Sequence, residues 1–341
     1  MRPRRLAVAL AALALLAACS TGPATTSDRS PASGATGTTE APDVTEATTV
    51  ITVTTTSGIE PRRDTPVTTT TTPVECTGPA VAPVTYQYLD VDGGDPQLVN
   101  LDVYRPSDAP ACPVAIWVHG GGWMKGDKRG QAIDTKVAYF ASLGYVLVSV
   151  NYRLAAASND IRWPVYGTDV AAAVAWTLDH AGELGVDRDR VVLVGHSAGA
   201  HLVSIVATHP TLLLDAGLDR TAIGCVVALD TASYDLAERP GDDRLVEFAF
   251  GTDPAVLDDA SPTVQVIEHG GPLPDFLVVA RGTPARIAAA EEFASSAEAA
   301  GARVEVIDAS PYTHGDVNVE FGAPGETVLT PAATEFLAGC R

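Results

Sequence analysis

Residues 191–201 read Val191-Val192-Leu193-Val194-Gly195-His196-Ser197-Ala198-Gly199-Ala200-His201. Four apolar residues run without alternation into a glycine, as a strand buried on both faces of a parallel sheet does. The segment behind, His201 to Thr208, is apolar on more than one side and predicts a buried helix. A serine between two glycines, on a sharp turn from strand to helix, is the arrangement that presents a nucleophile. The glycines answer the strain of such a turn and the close passage of neighbouring backbone. The helix start then brings the backbone N–H of Ala198 beside the serine oxygen. A glycine-rich loop without chemistry is the alternative, and the remainder of the chain decides between them.

The N-terminal end differs in character. Arg2, Arg4 and Arg5 precede a short apolar run from Leu6 to Ala18. That is a secretory signal, too short to span a bilayer stably. Its end, Leu16-Ala17-Ala18-Cys19, resembles a bacterial lipoprotein lipobox, which implies cleavage before Cys19 and lipid on its thiol. Residues 20–75 are dominated by Thr, Ser, Pro, Ala and Gly, with threonines at every position from Thr68 to Thr72. Such a stretch cannot bury enough apolar surface to offset chain entropy. It is expected to be a disordered tether, open to O-glycosylation, with a reach of roughly 40 Å as a flexible coil. No later run is long and apolar enough to cross a membrane.

Residues 76–341, about 265 in all, suit one large α/β domain. The formal net charge of −20 argues against nucleic acid and against charge-driven binding to an anionic membrane surface. Apart from Cys19 the cysteines are Cys76, Cys112, Cys225 and Cys340. An even number in an exported domain favours disulfides. The preferred pairing is Cys76–Cys112 with Cys225–Cys340, since each ties a domain end to the start of a strand. No CxxC pair or histidine cluster suggests a metal, and no cofactor is expected.

The segments Val84–Leu89 and Leu98–Tyr104 alternate and predict an antiparallel edge hairpin. Strands are expected at Pro113–Val118, Tyr145–Val150, Val191–Val194, Gly224–Leu229, Phe276–Ala280 and Val304–Ile307. Helices are expected at Gln131–Leu143, Val165–Ala181, Ala285–Ala300 and Pro331–Leu337. Residues 231–270 show no clean period and are expected to form a cap or long loops. Alternating strands and helices imply a mostly parallel sheet with helices on both faces.

His119-Gly120-Gly121-Gly122 follows a strand directly. Glycines there let backbone N–H groups face a cavity, where with Ala198 they can hold an oxyanion. A phosphate cradle fits worse, because neither GxxxxGK[ST] nor GxGxxG is present. Among the histidines, His119 is expected to fix this loop and His180 to lie at the surface. His196 and His201 stand too close to Ser197 in sequence to present a ring to its oxygen from the correct side. His209 ends the elbow helix, and His269 precedes a strand at its wrong end. His314 lies beyond the carboxyl end of the last strand, where open α/β sheets build their sites, and is the candidate base.

Together, His119-Gly120-Gly121-Gly122-Trp123, Asn151-Tyr152-Arg153 and Gly195-His196-Ser197-Ala198-Gly199-Ala200-His201 resemble the α/β-hydrolase superfamily. Within it they are similar to the hormone-sensitive-lipase-like and kynurenine-formamidase-like esterases, over roughly residues 84–340. The resemblance implies an α/β-hydrolase fold with Ser197 as nucleophile and His314 as base. It further implies Gly121, Gly122 and Ala198 as oxyanion donors, and Asn151-Tyr152-Arg153 as structural support. One departure stands out. The acid of these families usually follows the penultimate strand, and here that turn reads Arg281-Gly282-Thr283-Pro284-Ala285-Arg286, with no carboxylate. Asp230, closing the preceding strand, is the candidate acid. Asp235 is next, and Glu291, Asp308 and Asp316 are outsiders.

The leading expectation is thus a lipid-anchored serine hydrolase of the cell envelope acting on small to medium acyl esters. An amidase of kynurenine formamidase type is the second reading. A non-catalytic binding lipoprotein on a hydrolase scaffold is the third, resting on the missing carboxylate.

Overall fold

The structure is a computed structural model, and it describes residues 75–79, 81–241 and 244–340. The expected signal segment 1–19, with Cys19, and the linker 20–75 lie outside these residues, apart from residue 75. Among the described residues one sheet of eight strands runs in the order β1-β2-β4-β3-β5-β6-β7-β8. The strands are β1 (Val84–Gln87), β2 (Asn100–Tyr104), β3 (Cys112–Val118), β4 (Val146–Val150), β5 (Val186–His196), β6 (Cys225–Leu229), β7 (Asp275–Ala280) and β8 (Val304–Asp308). The helices are α1 (Ile133–Ser142), α2 (Val165–Asp179), α3 (Ala181–Leu184), α4 (Ala198–Thr208), α5 (Leu212–Asp215) and α6 (Arg244–Phe250), then α7 (Pro254–Asp259), α8 (Pro262–His269), α9 (Pro284–Ala299), α10 (His314–Glu320) and α11 (Leu329–Ala338). β2 pairs antiparallel with β1 and β4, and every pairing from β4 to β8 is parallel.

The apolar runs lack alternation because both faces of the sheet are covered. Val192 and Val194 of β5 pack with α1 and α11, through Phe140 and Phe336 among others. Val191 and Leu193 point the other way, into a core shared with α2, α4 and α9. The expected disulfides, Cys76–Cys112 and Cys225–Cys340, are the ones formed. The second fixes the end of α11 to the first residue of β6.

The expected antiparallel pair stands at the edge of the sheet, with β1 outermost and β2 between it and β4, and every residue of β2 is buried. Its polar position Asp102 faces Arg129 and Lys128 of the loop after β3, so the alternation marked an internal ion pair rather than solvent. β5 begins earlier than expected, because Asp187-Arg188-Asp189-Arg190 extends it through a register irregularity against β3. Residues 231–270 hold three short helices, α6 to α8, too short to display a helical period. His314 lies beyond the carboxyl end of β8, as expected, and opens α10, where Thr313 and Asp316 form a reciprocal capping box.

The Cys225–Cys340 bridge closes a loop with a sequence separation of 115 residues. Chain-entropy reasoning assigns such a bridge roughly 4–5 kcal/mol. A Cys225→Ala/Cys340→Ala variant is expected to melt roughly 10 °C below the parent by scanning calorimetry. An unchanged Tm would contradict this assignment.

Candidate active site

The turn between β5 and α4 carries Ser197 at φ 57°, ψ −117°. A non-glycine residue holds positive φ only where its surroundings enforce it. Here the enforcement is the approach of α4 to the sheet. A Cβ on Gly199 would lie 2.0 Å from the Val118 carbonyl oxygen, so only glycine lets the helix start this close to β3. The Ser197 N–H donates to the Leu229 carbonyl at 2.9 Å, and the Asp230 N–H donates to Val279 at 2.8 Å. The ends of β5, β6 and β7 are thereby stitched together, and Ser197 and Asp230 face one cleft.

Ser197, His314 and Asp230 form one hydrogen-bonded chain. Ser197 Oγ lies 2.9 Å from His314 Nε2, and His314 Nδ1 lies 2.5 Å from Asp230 Oδ2. Asp230 is buried (1% exposed), whereas the His314 side chain is 45% exposed at the cleft. Asp230 also accepts from Arg281 Nη1 at 3.2 Å and from Arg286 Nη2 at 2.7 Å. Burial works to raise its pKa, but the His314 contact and then Arg286 outweigh it and hold the carboxyl below the usual range. Asp230 therefore stays ionised. The turn that lacked a carboxylate supplies instead two guanidinium groups for the carboxylate one strand away. The other acids are elsewhere: Asp235 and Asp308 accept from nearby backbone N–H groups, Asp316 caps α10, and Glu291 is exposed.

The glycine loop lies across the cleft from Asp230. Gly121 has φ 124°, and a Cβ there would stand 1.8 Å from the Lys125 carbonyl oxygen. The N–H groups of Gly121 and Gly122 make no backbone hydrogen bond among the described residues, and Ala198 is the first residue of α4, whose N–H has no partner within the helix. These three donors border the cavities that meet at Ser197. Residues around them hold the loop. Tyr152 Oη donates to the His119 carbonyl at 3.2 Å, and its ring stacks on His119 at 4.5 Å. Asn151 Oδ1 accepts from the Lys128 N–H at 2.6 Å, and Arg153 pairs with buried Asp169.

Two histidines set aside as bases prove to be supports. His196 Nε2 donates to the carbonyl of His314 at 2.9 Å, fixing the start of α10. His201 Nε2 donates to the Ala260 carbonyl at 2.8 Å, and its Nδ1 accepts from Trp123 Nε1 at 3.2 Å. It therefore ties the glycine loop to the segment before α8. Neither role has a sequence signal, because each partner is far away along the chain. Burial pushes both imidazoles down to about 4, helped at His196 by the neighbouring His314. Each is neutral in the folded protein at a pH where an unfolded histidine, near 6.5, is charged. Unfolding then takes up protons between roughly pH 6.5 and 4, so this stability is full above pH 6.5 and is lost as the pH falls toward 4. The loss is roughly 3 kcal/mol per group at most. The urea midpoint is expected to drop between pH 7.5 and 4.5, and to drop less in His201→Gln; equal midpoints at the two pH values would count against this.

Two cavities meet at Ser197. One of about 350 Å³ lies on the Asp230 side, and one of about 480 Å³ runs along the glycine loop toward Trp117 and Asn318. Gly122, Ser197, Leu245 and His314 border both, so α6 closes over the nucleophile.

Residues 101–222 match the BD-FAE family. The chain is 33% identical over 205 residues to esterase LipC of Mycobacterium tuberculosis, covering 54% of this chain and 48% of that protein. It is 38% identical over 114 residues to the probable carboxylic ester hydrolase LipM of the same organism, covering 33% of this chain and 26% of LipM. The chain thus spans half or less of the length of these relatives. Among solved structures, Thermogutta terrifontis esterase 2 aligns with TM-score 0.60 and 23% identity, over 75% of this chain and 94% of that one. Esterase B of Lactobacillus rhamnosis aligns with TM-score 0.59 and 25% identity, over 77% and 86%. The sheet order, the nucleophile turn after β5 and these likenesses agree: the chain has the α/β-hydrolase fold.

Proposed function

We infer that the chain is a serine carboxylesterase acting on small to medium acyl esters. The observation that carries this reading is the continuous hydrogen-bonded chain from Ser197 through His314 to buried Asp230. Ser197 Oγ attacks the ester carbonyl while His314 Nε2 takes its proton. Asp230, ionised and bonded to Nδ1, fixes the imidazole tautomer and stabilises the imidazolium. The N–H groups of Gly121, Gly122 and Ala198 receive the oxyanion, where one donor is worth about 3 kcal/mol. The intermediate collapses, the alcohol leaves with the proton from His314, and water repeats the sequence on the acyl-enzyme. Every step uses side chains and backbone of this chain. The named relatives point to ester hydrolysis, and no observation favours the amidase. The non-catalytic reading loses its support, since Asp230 supplies the missing carboxylate.

The chain's place in the cell is read from its N-terminal residues. Arg2, Arg4 and Arg5, the apolar run to Ala18 and Cys19 at the cleavage point support export and a lipid anchor on Cys19. The two disulfides support an oxidising compartment.

Two experiments test these readings. Against 4-nitrophenyl butyrate, Asp230→Asn is expected to lose roughly 10³–10⁴-fold in kcat, and Ser197→Ala to fall to background. An Asp230→Asn enzyme within a few-fold of the parent would move the acid elsewhere. In nonionic-detergent phase separation, the full chain is expected in the detergent phase and Cys19→Ser in the aqueous phase; a parent found in the aqueous phase would remove the anchor.

A further inference from the structure

The cavity on the Asp230 side has an unusual wall. Arg239, Arg281 and Arg286 line it, and Asp230 is its one carboxylate among the described residues. In a chain of net charge −20, this is a local inversion of sign beside the nucleophile. The pairing inside the wall is incomplete in a specific way. Arg281 commits Nε to the Tyr312 carbonyl at 2.9 Å and Nη1 to Asp230. Arg286 commits Nε to the Arg281 carbonyl at 3.2 Å and Nη2 to Asp230. Arg281 Nη2 and Arg286 Nη1 make no hydrogen bond among the described residues. Each of these side chains is 22% exposed, so the groups are largely withdrawn from water.

The charge does not close either. Asp230 carries one negative charge against the two of Arg281 and Arg286, and it also serves His314. Arg239 also borders the cavity, with Nε donating to Ser233 Oγ at 3.1 Å. The remaining wall, including Trp123, Ala232 and Leu245, brings no charge. A partly desolvated excess of positive charge is stabilised by an anion, and the two uncommitted Nη groups, one from each arginine, can each donate a charge-assisted hydrogen bond to a carboxylate.

We propose that this cavity binds a free carboxylate on the substrate, so that the preferred ester is a monoester of a short dicarboxylic acid. Asp230 bonds to both arginines and to His314, and Arg281, Arg286 and Ser197 line one cavity of about 350 Å³, which bounds the acyl chain to a short one. A neutral acyl chain entering the same cavity leaves the guanidinium donors facing apolar atoms. The inference rests on the esterase reading and adds the substrate class to it.

The test compares monoethyl glutarate with ethyl valerate, a neutral ester of equal acyl length, by pH-stat. The kcat/KM ratio is expected to favour glutarate by at least tenfold, mainly through KM, and to shrink in 0.5 M NaCl as screening acts on the charged contact. Arg281→Gln slows both esters, because it loosens Asp230, yet it is expected to lower the ratio about tenfold as well. Arg239→Gln, which leaves the Asp230 contacts in place, is expected to lower the ratio too. Hydrolysis of valerate with no preference for glutarate, or a ratio that neither substitution moves, overturns the carboxylate site while leaving the esterase standing. Failure to hydrolyse either ester, with no reaction of Ser197 toward a fluorophosphonate, removes the esterase reading itself and this inference with it.

Discussion

A carboxylate withdrawn from water is costly unless hydrogen bonds and opposite charge compensate it. Asp230 is such a group, and much of the site is arranged around it. Its Oδ2 fixes the His314 ring, and its Oδ1 anchors Arg286, the third residue of α9. Arg281 joins the cluster from the end of β7 and also reaches the Tyr312 carbonyl, just before α10. One side chain thus sets the positions of β7, α9 and α10 relative to the nucleophile turn. Removing it leaves two guanidinium groups without their shared carboxylate, so its loss disturbs both geometry and charge.

Around this centre the nucleophile turn and the glycine loop are held by polar contacts between distant parts of the chain. His196 secures the backbone of the very residue that serves Ser197, while His201 joins Trp123 to the cap helices. Tyr152 and Asn151 brace the glycine loop from the end of β4. Most of these groups are buried and neutral, which lets them hold geometry without adding charge near the reacting atoms. The cavity on the Asp230 side is bordered by Arg281, Arg286 and one carboxylate, whereas the glycine-loop cavity is bordered by Lys125 and Asp127.

The sheet was legible in the sequence because its central strands are buried on both sides, which leaves uninterrupted apolar runs such as Val191–Val194. The nucleophile turn was legible because Gly195 and Gly199 answer a steric demand that other residues cannot. What escaped the reading was set by partners far off in sequence. Asp102 reads as a solvent-facing position of the edge hairpin until Arg129 is seen to cover it. The short helices between Arg244 and His269 span too few turns to show a period. Arg281 and Arg286 stood in the turn that drew notice for lacking an acid, but only the folded chain reveals that they grip Asp230.

The most direct test is the rate and position of fluorophosphonate attachment to the purified chain, followed by mass spectrometry of its peptides. The relay from Asp230 through His314 predicts rapid addition of one phosphonyl group on the peptide carrying Ser197, and sharply slower addition in both Asp230→Ala and His314→Ala. Absence of addition in the parent chain, or addition at the same rate when either partner is removed, would contradict it.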